Sequence, residues 1–106
     1  MPPRYEHRGA VVSKARSMRR QDGSYLSAAD LSPYLAMVEA EFGPDIAIDD
    51  TDGRHPAWKH SRAWATKAYG RDRGVLVIRC CGPLREAILA RVDQAAAADG
   101  LDSLPA

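Results

Sequence analysis

Residues 74–101 constrain the fold of this chain more than any other stretch. Val75-Leu76-Val77-Ile78 is an unbroken apolar run rich in β-branched residues. A run with no polar alternation predicts a strand covered on both faces. Arg79 is the first charge, and Cys80-Cys81-Gly82-Pro83 breaks the strand. Pro83 suits the first position of a helix, where its missing N–H costs nothing. Leu84, Ile88, Val92 and Ala95 then recur at helical spacing. Gly100 can take the left-handed conformation that closes a helix, and Leu101 can fold back on the last turn. The stretch therefore predicts a strand–turn–helix unit against which the remaining elements pack.

The chain has 106 residues, a length suited to one domain with a working core and no disulfide framework. Residues 1–7 are Pro-rich and polar and read as a flexible arm, leaving residues 8–106 as a single compact domain. No apolar run reaches the ~18 residues that a membrane span needs, and the first residues lack the apolar core of a signal peptide. The two cysteines, Cys80 and Cys81, are adjacent, which fits a reducing compartment. A cytoplasmic protein without membrane contact is expected.

Other elements follow from spacing. Val11, Ala15 and Met18 fall on one helical face, so residues 8–20 read as a helix, with a short extended alternative around Ala10-Val11-Val12. Leu31, Leu35, Val38 and Phe42 make a second helix. Ser27 with Asp30 resembles a capping box but would leave Pro33 inside the helix. Ser32 as the cap, with residues 28–31 in a preceding turn, removes that conflict. Asp45-Ile46-Ala47-Ile48-Asp49 reads as a short strand. Pro56 to Tyr69 reads as a third helix ended by Gly70, with Ala57, Trp58, Ser61, Trp64, Ala65 and Ala68 on one stripe. If the two strands share a sheet, the helix between them makes them parallel. The expected fold is α+β (or small α/β), with four helices on a two- to three-stranded sheet in the order α-α-β-α-β-α.

The near-neutral total hides segregated charge. Residues 1–20 hold six Lys/Arg against one acid, and residues 21–52 hold eight acids and no Lys/Arg. Residues 53–73 again hold six Lys/Arg against one acid. Such blocks either neutralise one another or make a two-signed surface. The basic tract interleaves Arg54, Lys59, Arg62, Lys67, Arg71 and Arg73 with Trp58, Trp64 and Tyr69. Cations of this kind contact phosphates, and Arg16, Arg19 and Arg20 extend the footprint if the fold joins both blocks.

Chemical signatures are sparse. The acidic loop Asp49-Asp50-Thr51-Asp52-Gly53 offers carboxylates to a hard cation such as Mg²⁺, or serves as a turn before a helix. The tetrad Asp49-Asp50-Thr51-Asp52 is similar to the Asp-Asp-Thr-Asp signature of archaeal enzymes that attach agmatine to a tRNA cytidine. The similarity covers those four residues and a short apolar lead-in. Those enzymes are much larger and carry the motif at the chain start, so no activity carries over. Cys80 or Cys81 stands at a helix N-terminus, which favours a thiolate, but Arg85 is misplaced for a phosphatase loop. Buried cysteines ending a core strand are the plainer reading. His7, His55 and His60 form no metal-ligand set.

The chain is therefore read as a small non-enzymatic binding protein, with no catalytic residues, cofactor or metal. Nucleic acid is the first expected partner, its phosphates contacted through a basic helix face. The alternative is a regulatory protein–protein adaptor or inhibitor, of the kind small bacterial or phage chains supply. It would act through the acidic block of Glu39, Glu41, Asp45, Asp49, Asp50 and Asp52. A Mg²⁺-dependent or thiol enzyme comes third.

Overall fold

A computed structural model of the protein describes residues 12–42, 47–49, 67–80 and 82–106, with residues 47–49 and Lys67 described by their backbone. These residues form strands β1 (Val12–Arg19), β2 (Ala47–Asp49), β3 (Lys67–Arg71), β4 (Val75–Cys80) and β5 (Asp102–Pro105). The helices are α1 (Ser32–Phe42), preceded by a 3-10 turn at Ala29–Leu31, and α2 (Gly82–Ala98). One five-stranded sheet has the order β2-β3-β4-β1-β5. The last four of these pair antiparallel, while β2 runs parallel to β3.

This corrects the expected architecture. The class is α+β, but the described residues hold two helices on a five-stranded sheet, not four helices on two or three strands. Of the helix expected over residues 8–20, Val12–Arg19 is instead β1, second-last in the sheet and paired on both sides, while residues 8–11 lie outside the described residues. Its apolar spacing at residues 11, 15 and 18 fits a helix by coincidence. The period-two pattern that puts Arg16 and Met18 on the helix-bearing face prevails, because β4 and β5 both need a partner there. The end of the helix expected over residues 56–69 is also strand, since Lys67–Arg71 is β3; residues 56–66 lie outside the described residues. The two expected strands are not neighbours, because β3 lies between β2 and β4. The expected arm at residues 1–7 likewise lies outside the described residues.

The strand–turn–helix unit forms as its residues dictate. On β4, Leu76, Ile78 and Cys80 are fully buried against the helices, and Val77 on the opposite face is 6% exposed. From α2, Leu84, Ile88, Leu89, Val92 and Ala96 enter the same core, with Ala95 only half-buried at the stripe's margin. Leu31, Leu35, Val38 and Phe42 arrive from the first helical segment, and Met18 arrives from β1. Each large apolar side chain in this layer contributes roughly 1.5–3 kcal/mol. That outweighs the ~0–1 kcal/mol of an exposed ion pair, so burial sets which face of each strand looks inward.

Three local devices position the elements. Ser27 and Asp30 form a reciprocal box, with Ser27 N–H donating to Asp30 Oδ2 (3.0 Å) and Asp30 N–H to Ser27 Oγ (3.1 Å). The box closes the 3-10 turn, and α1 starts at Ser32 with Pro33 next, so the two starts weighed from the sequence coexist. At the far end of α2, Gly100 has φ +73°, its N–H donates to Ala97 O, and Leu101 N–H donates to Ala96 O. This left-handed cap turns the chain back toward the sheet and into β5. Gly70, expected to stop a helix, lies within β3. A Cβ there would stand 3.0 Å from Leu31 Cδ1, so its bareness lets the 3-10 turn sit on the strand.

Asp93 of α2 ties the terminal strand down. It accepts from Arg16 Nε (3.0 Å) on β1 and from Ser103 Oγ (2.7 Å) on β5. Tyr34 of α1 donates to Asp99 (2.5 Å) just past α2. Burial, followed by this hydrogen bond, pushes the Tyr34 phenol up to about 12.

Two outcomes follow. Gly74 has φ +65°, and a Cβ there would overlap the Met18 carbonyl, whereas nothing lies near the corresponding position on Gly100. Gly74→Ala is expected to cost at least ~2 kcal/mol in urea unfolding, and Gly100→Ala about 1 kcal/mol. The neutral Tyr34 is favoured in the folded state, so its contribution is complete below pH 10 and is lost as pH rises through about 12. Tyr34→Phe is expected to remove that loss from a pH series of denaturant midpoints and to cost about 1 kcal/mol at pH 7.

Candidate nucleic-acid interface

The sheet face opposite the helices carries the cations that matter. Register places Arg71, Val75, Ser17 and Leu104 in one row across β3, β4, β1 and β5. Tyr69, Val77 and Ala15 make the next row, and Lys67, Arg79 and Ser13 the one beyond. Arg19 lies two residues past Ser17, on the same face. There it is bridged on the β4 side by Tyr25 and flanked on the β5 side by Asp102.

The β3–β4 turn, Asp72-Arg73-Gly74, is drawn onto this end of the sheet. Met18 N–H donates to Gly74 O at 2.8 Å, and Ala28 N–H to the Asp72 carboxylate at 3.3 Å. Arg71 and Arg73 thereby sit beside the loop that carries Tyr25. The guanidinium of Arg19 lies 5.6 Å from the Tyr25 ring centroid, and that of Arg71 5.6 Å from the Tyr69 ring centroid. Contacts of this kind hold a cation in place while its charge stays available. Arg71 and Arg73 are exposed and Arg19 is half-buried. Among the described residues no carboxylate forms an ion pair with any of the three.

The other expected contacts do not join them. Arg16 is 17% exposed at its side chain and is committed to Asp93. Arg20 bonds Asp30 (3.1 Å) and the Tyr25 carbonyl (3.2 Å) and so braces the loop. Lys67 is in register with Arg79 at the start of β3. Arg54, Lys59 and Arg62 lie outside the described residues, as do Trp58 and Trp64. Sequence reading missed Arg79 and Tyr25. Period-two alternation along β4 marks Arg79 as opposite to Leu76, Ile78 and Cys80, so that signal was present. Nothing in the sequence pairs Tyr25 with Arg19.

Of the acidic block, Glu41 pairs with Arg91 across the helices at 3.0 Å, and Glu39 is also engaged. Asp49 ends β2, while Asp45, Asp50 and Asp52 lie outside the described residues. Among the described residues no group of three or more His, Cys, Asp or Glu is placed to hold a metal ion. Cys80 is buried in the core, and Arg85 donates to its carbonyl at 3.0 Å; Cys81 lies outside the described residues. A groove of about 490 Å³ opens along β1 beside Lys14, Arg16, Glu86, Leu89 and Pro105. Its charges answer one another, with Lys14 and Glu86 3.5 Å apart and Arg16 held by Asp93. No described helix is long and apolar enough to cross a membrane.

No family model, curated protein or solved structure matches this chain.

The loop's own acid gives a pH test. The Ser27 backbone N–H, then the Arg20 guanidinium and the Ser27 hydroxyl, hold the Asp30 carboxyl below its usual 3.8. Its contribution is complete above pH 3.8 and is lost as pH falls through the lower folded value. Amide exchange at Ser27 is expected to stay slow down to that range and accelerate below it. In Asp30→Ala, which has no side-chain acceptor, it is expected to be fast already at pH 6.

Proposed function

We propose that the protein is a small non-enzymatic nucleic-acid-binding protein whose phosphate contacts lie at the β3–β4 turn end of its sheet. Arg19, Arg71 and Arg73 make those contacts, with Arg79 further along the same face. One observation carries the reading. Arg19 comes from the first basic block and Arg71 and Arg73 from the second, and the bonds of Gly74 to Met18 and of Asp72 to Ala28 bring the turn between the second pair to the end of the sheet where Arg19 and Tyr25 stand. Three of the acids nearby have other occupations. Asp72 accepts from Ala28, Asp22 from Ser24, and Asp30 from Ser27 and Arg20. Asp102 stands next to Arg19 in register, and Asp49 of β2 next to Tyr69, one row from Arg71. The position differs from the basic helix face read from the sequence, since Lys67 and Arg71 belong to a strand.

The adaptor reading draws less support, because the two α1 acids of the acidic block, Glu39 and Glu41, are already engaged within the chain. An enzyme draws none from the described residues.

Fluorescence polarisation with labelled DNA and RNA oligonucleotides tests the proposal. Affinity is expected to fall with added salt, with a log–log slope of about −2 for three phosphate contacts on a single strand. The triple variant Arg19→Gln, Arg71→Gln, Arg73→Gln is expected to flatten that slope while keeping the parent's circular dichroism. Absence of salt-dependent binding at low ionic strength would overturn the proposal.

A further inference from the structure

We infer that the ligand of this surface is a single strand, DNA or RNA, and that Tyr25 is the platform on which one of its bases stacks. The inference rests on the proposed function and narrows its ligand. Tyr25 is 49% exposed, and Val12 and Leu104 are the other large apolar residues left open among the described ones. Unlike them, Tyr25 has an arginine guanidinium, that of Arg19, against its ring.

Its backbone is tied to the end of β1. Tyr25 bridges Arg19, its carbonyl accepts from Arg20 Nη1, and the next residue, Leu26, is buried in the core. Upstream, the Asp22 carboxylate accepts from both Ser24 N–H (2.9 Å) and Ser24 Oγ (2.6 Å), closing a tight turn over Gly23 at φ +85°. A ring presented from so fixed a loop loses little freedom when a ligand lands on it, which is the condition for efficient stacking. The Arg19 guanidinium lies over the ring at 5.6 Å, and about half of the residue's surface still faces water.

Tyr69 is unlike it. That ring is half-buried, already carries Arg71 and has a further contact of its own. One ring is thus built into the face, while the other is exposed with Arg19 against it, on the loop that the β3–β4 turn adjoins. A duplex keeps its bases stacked inside and offers this surface only phosphates. A single strand offers phosphates to Arg19, Arg71 and Arg73 and a base face to Tyr25. Stacking on an aromatic tolerates any base, because each has a π-face, so modest sequence preference is expected.

The test uses the full chain and three labelled probes of one length: oligo-dT, the same length of duplex, and an abasic strand with the phosphate backbone but no bases. Oligo-dT is expected to bind more tightly than either other probe. Tyr25→Ala is expected to weaken oligo-dT binding roughly 10- to 100-fold, to leave the abasic strand unaffected, and to keep the salt slope. Tyr25→Trp is expected to restore oligo-dT binding, which separates stacking from any change in the loop. Equal affinity for oligo-dT and the abasic strand, or an unchanged Tyr25→Ala affinity, overturns the stacking role. In that case salt-dependent binding of all three probes still supports the proposed function. Failure of all three probes to bind at low salt removes both.

Discussion

The backbone contact between Met18 and Gly74 is the constraint on which the arrangement depends. Met18 N–H donates to Gly74 O, and Gly74 carries no Cβ, so the β3–β4 turn lies directly against β1. Leu26 N–H reaches the Met18 carbonyl from the neighbouring loop at 3.5 Å. One residue of β1 thus gathers two segments far apart in the chain. The side chain of Met18 is meanwhile fully buried in the core. Alternation then throws Arg19 to the outer face, next to whatever the two segments bring. Packing on one side of the sheet decides the chemistry displayed on the other.

Arginine plays two parts here, and its surroundings separate them. Arg16 and Arg91 bond carboxylates across elements and serve the fold. Arg20 braces the Tyr25 loop through Asp30. Arg19 and Arg71 rest on tyrosine rings instead, which positions a cation without neutralising it. The same charge count could have produced a fully self-paired surface. The difference lies in which side chains face a carboxylate in the register that burial imposes.

How far the fold was readable follows the same division. The unit from Val75 to Leu101 was plain, because its signals are local: an apolar run, a proline, a stripe and a glycine cap. The segment Ser32–Phe42 was plain for the same reason. β1 was misread because its apolar residues fit a helical period, and only the neighbours β4 and β5 impose the extended one. β3 was hidden behind Gly70, which reads as a stop until Leu31 is seen packed on it. β5 is too short and too polar to announce itself, and depends on the Gly100 cap and on Asp93. At the candidate site, Arg19, Arg71 and Arg73 were among the expected contacts, yet nothing local distinguishes them from Arg16 and Arg20. That distinction depends on register, which spans the whole sheet.

β1 precedes the other described strands, and both of its partners come late in the chain. Until β4 and β5 arrive it has two bare hydrogen-bonding edges and a core methionine with nothing to cover it. The β3–β4 hairpin and α2 can form early from near neighbours, but the middle of the sheet waits on long-range loop closure. Ordering of the protein is thus expected to be paced by that closure, and the interval before it is when two copies are most able to pair by mistake.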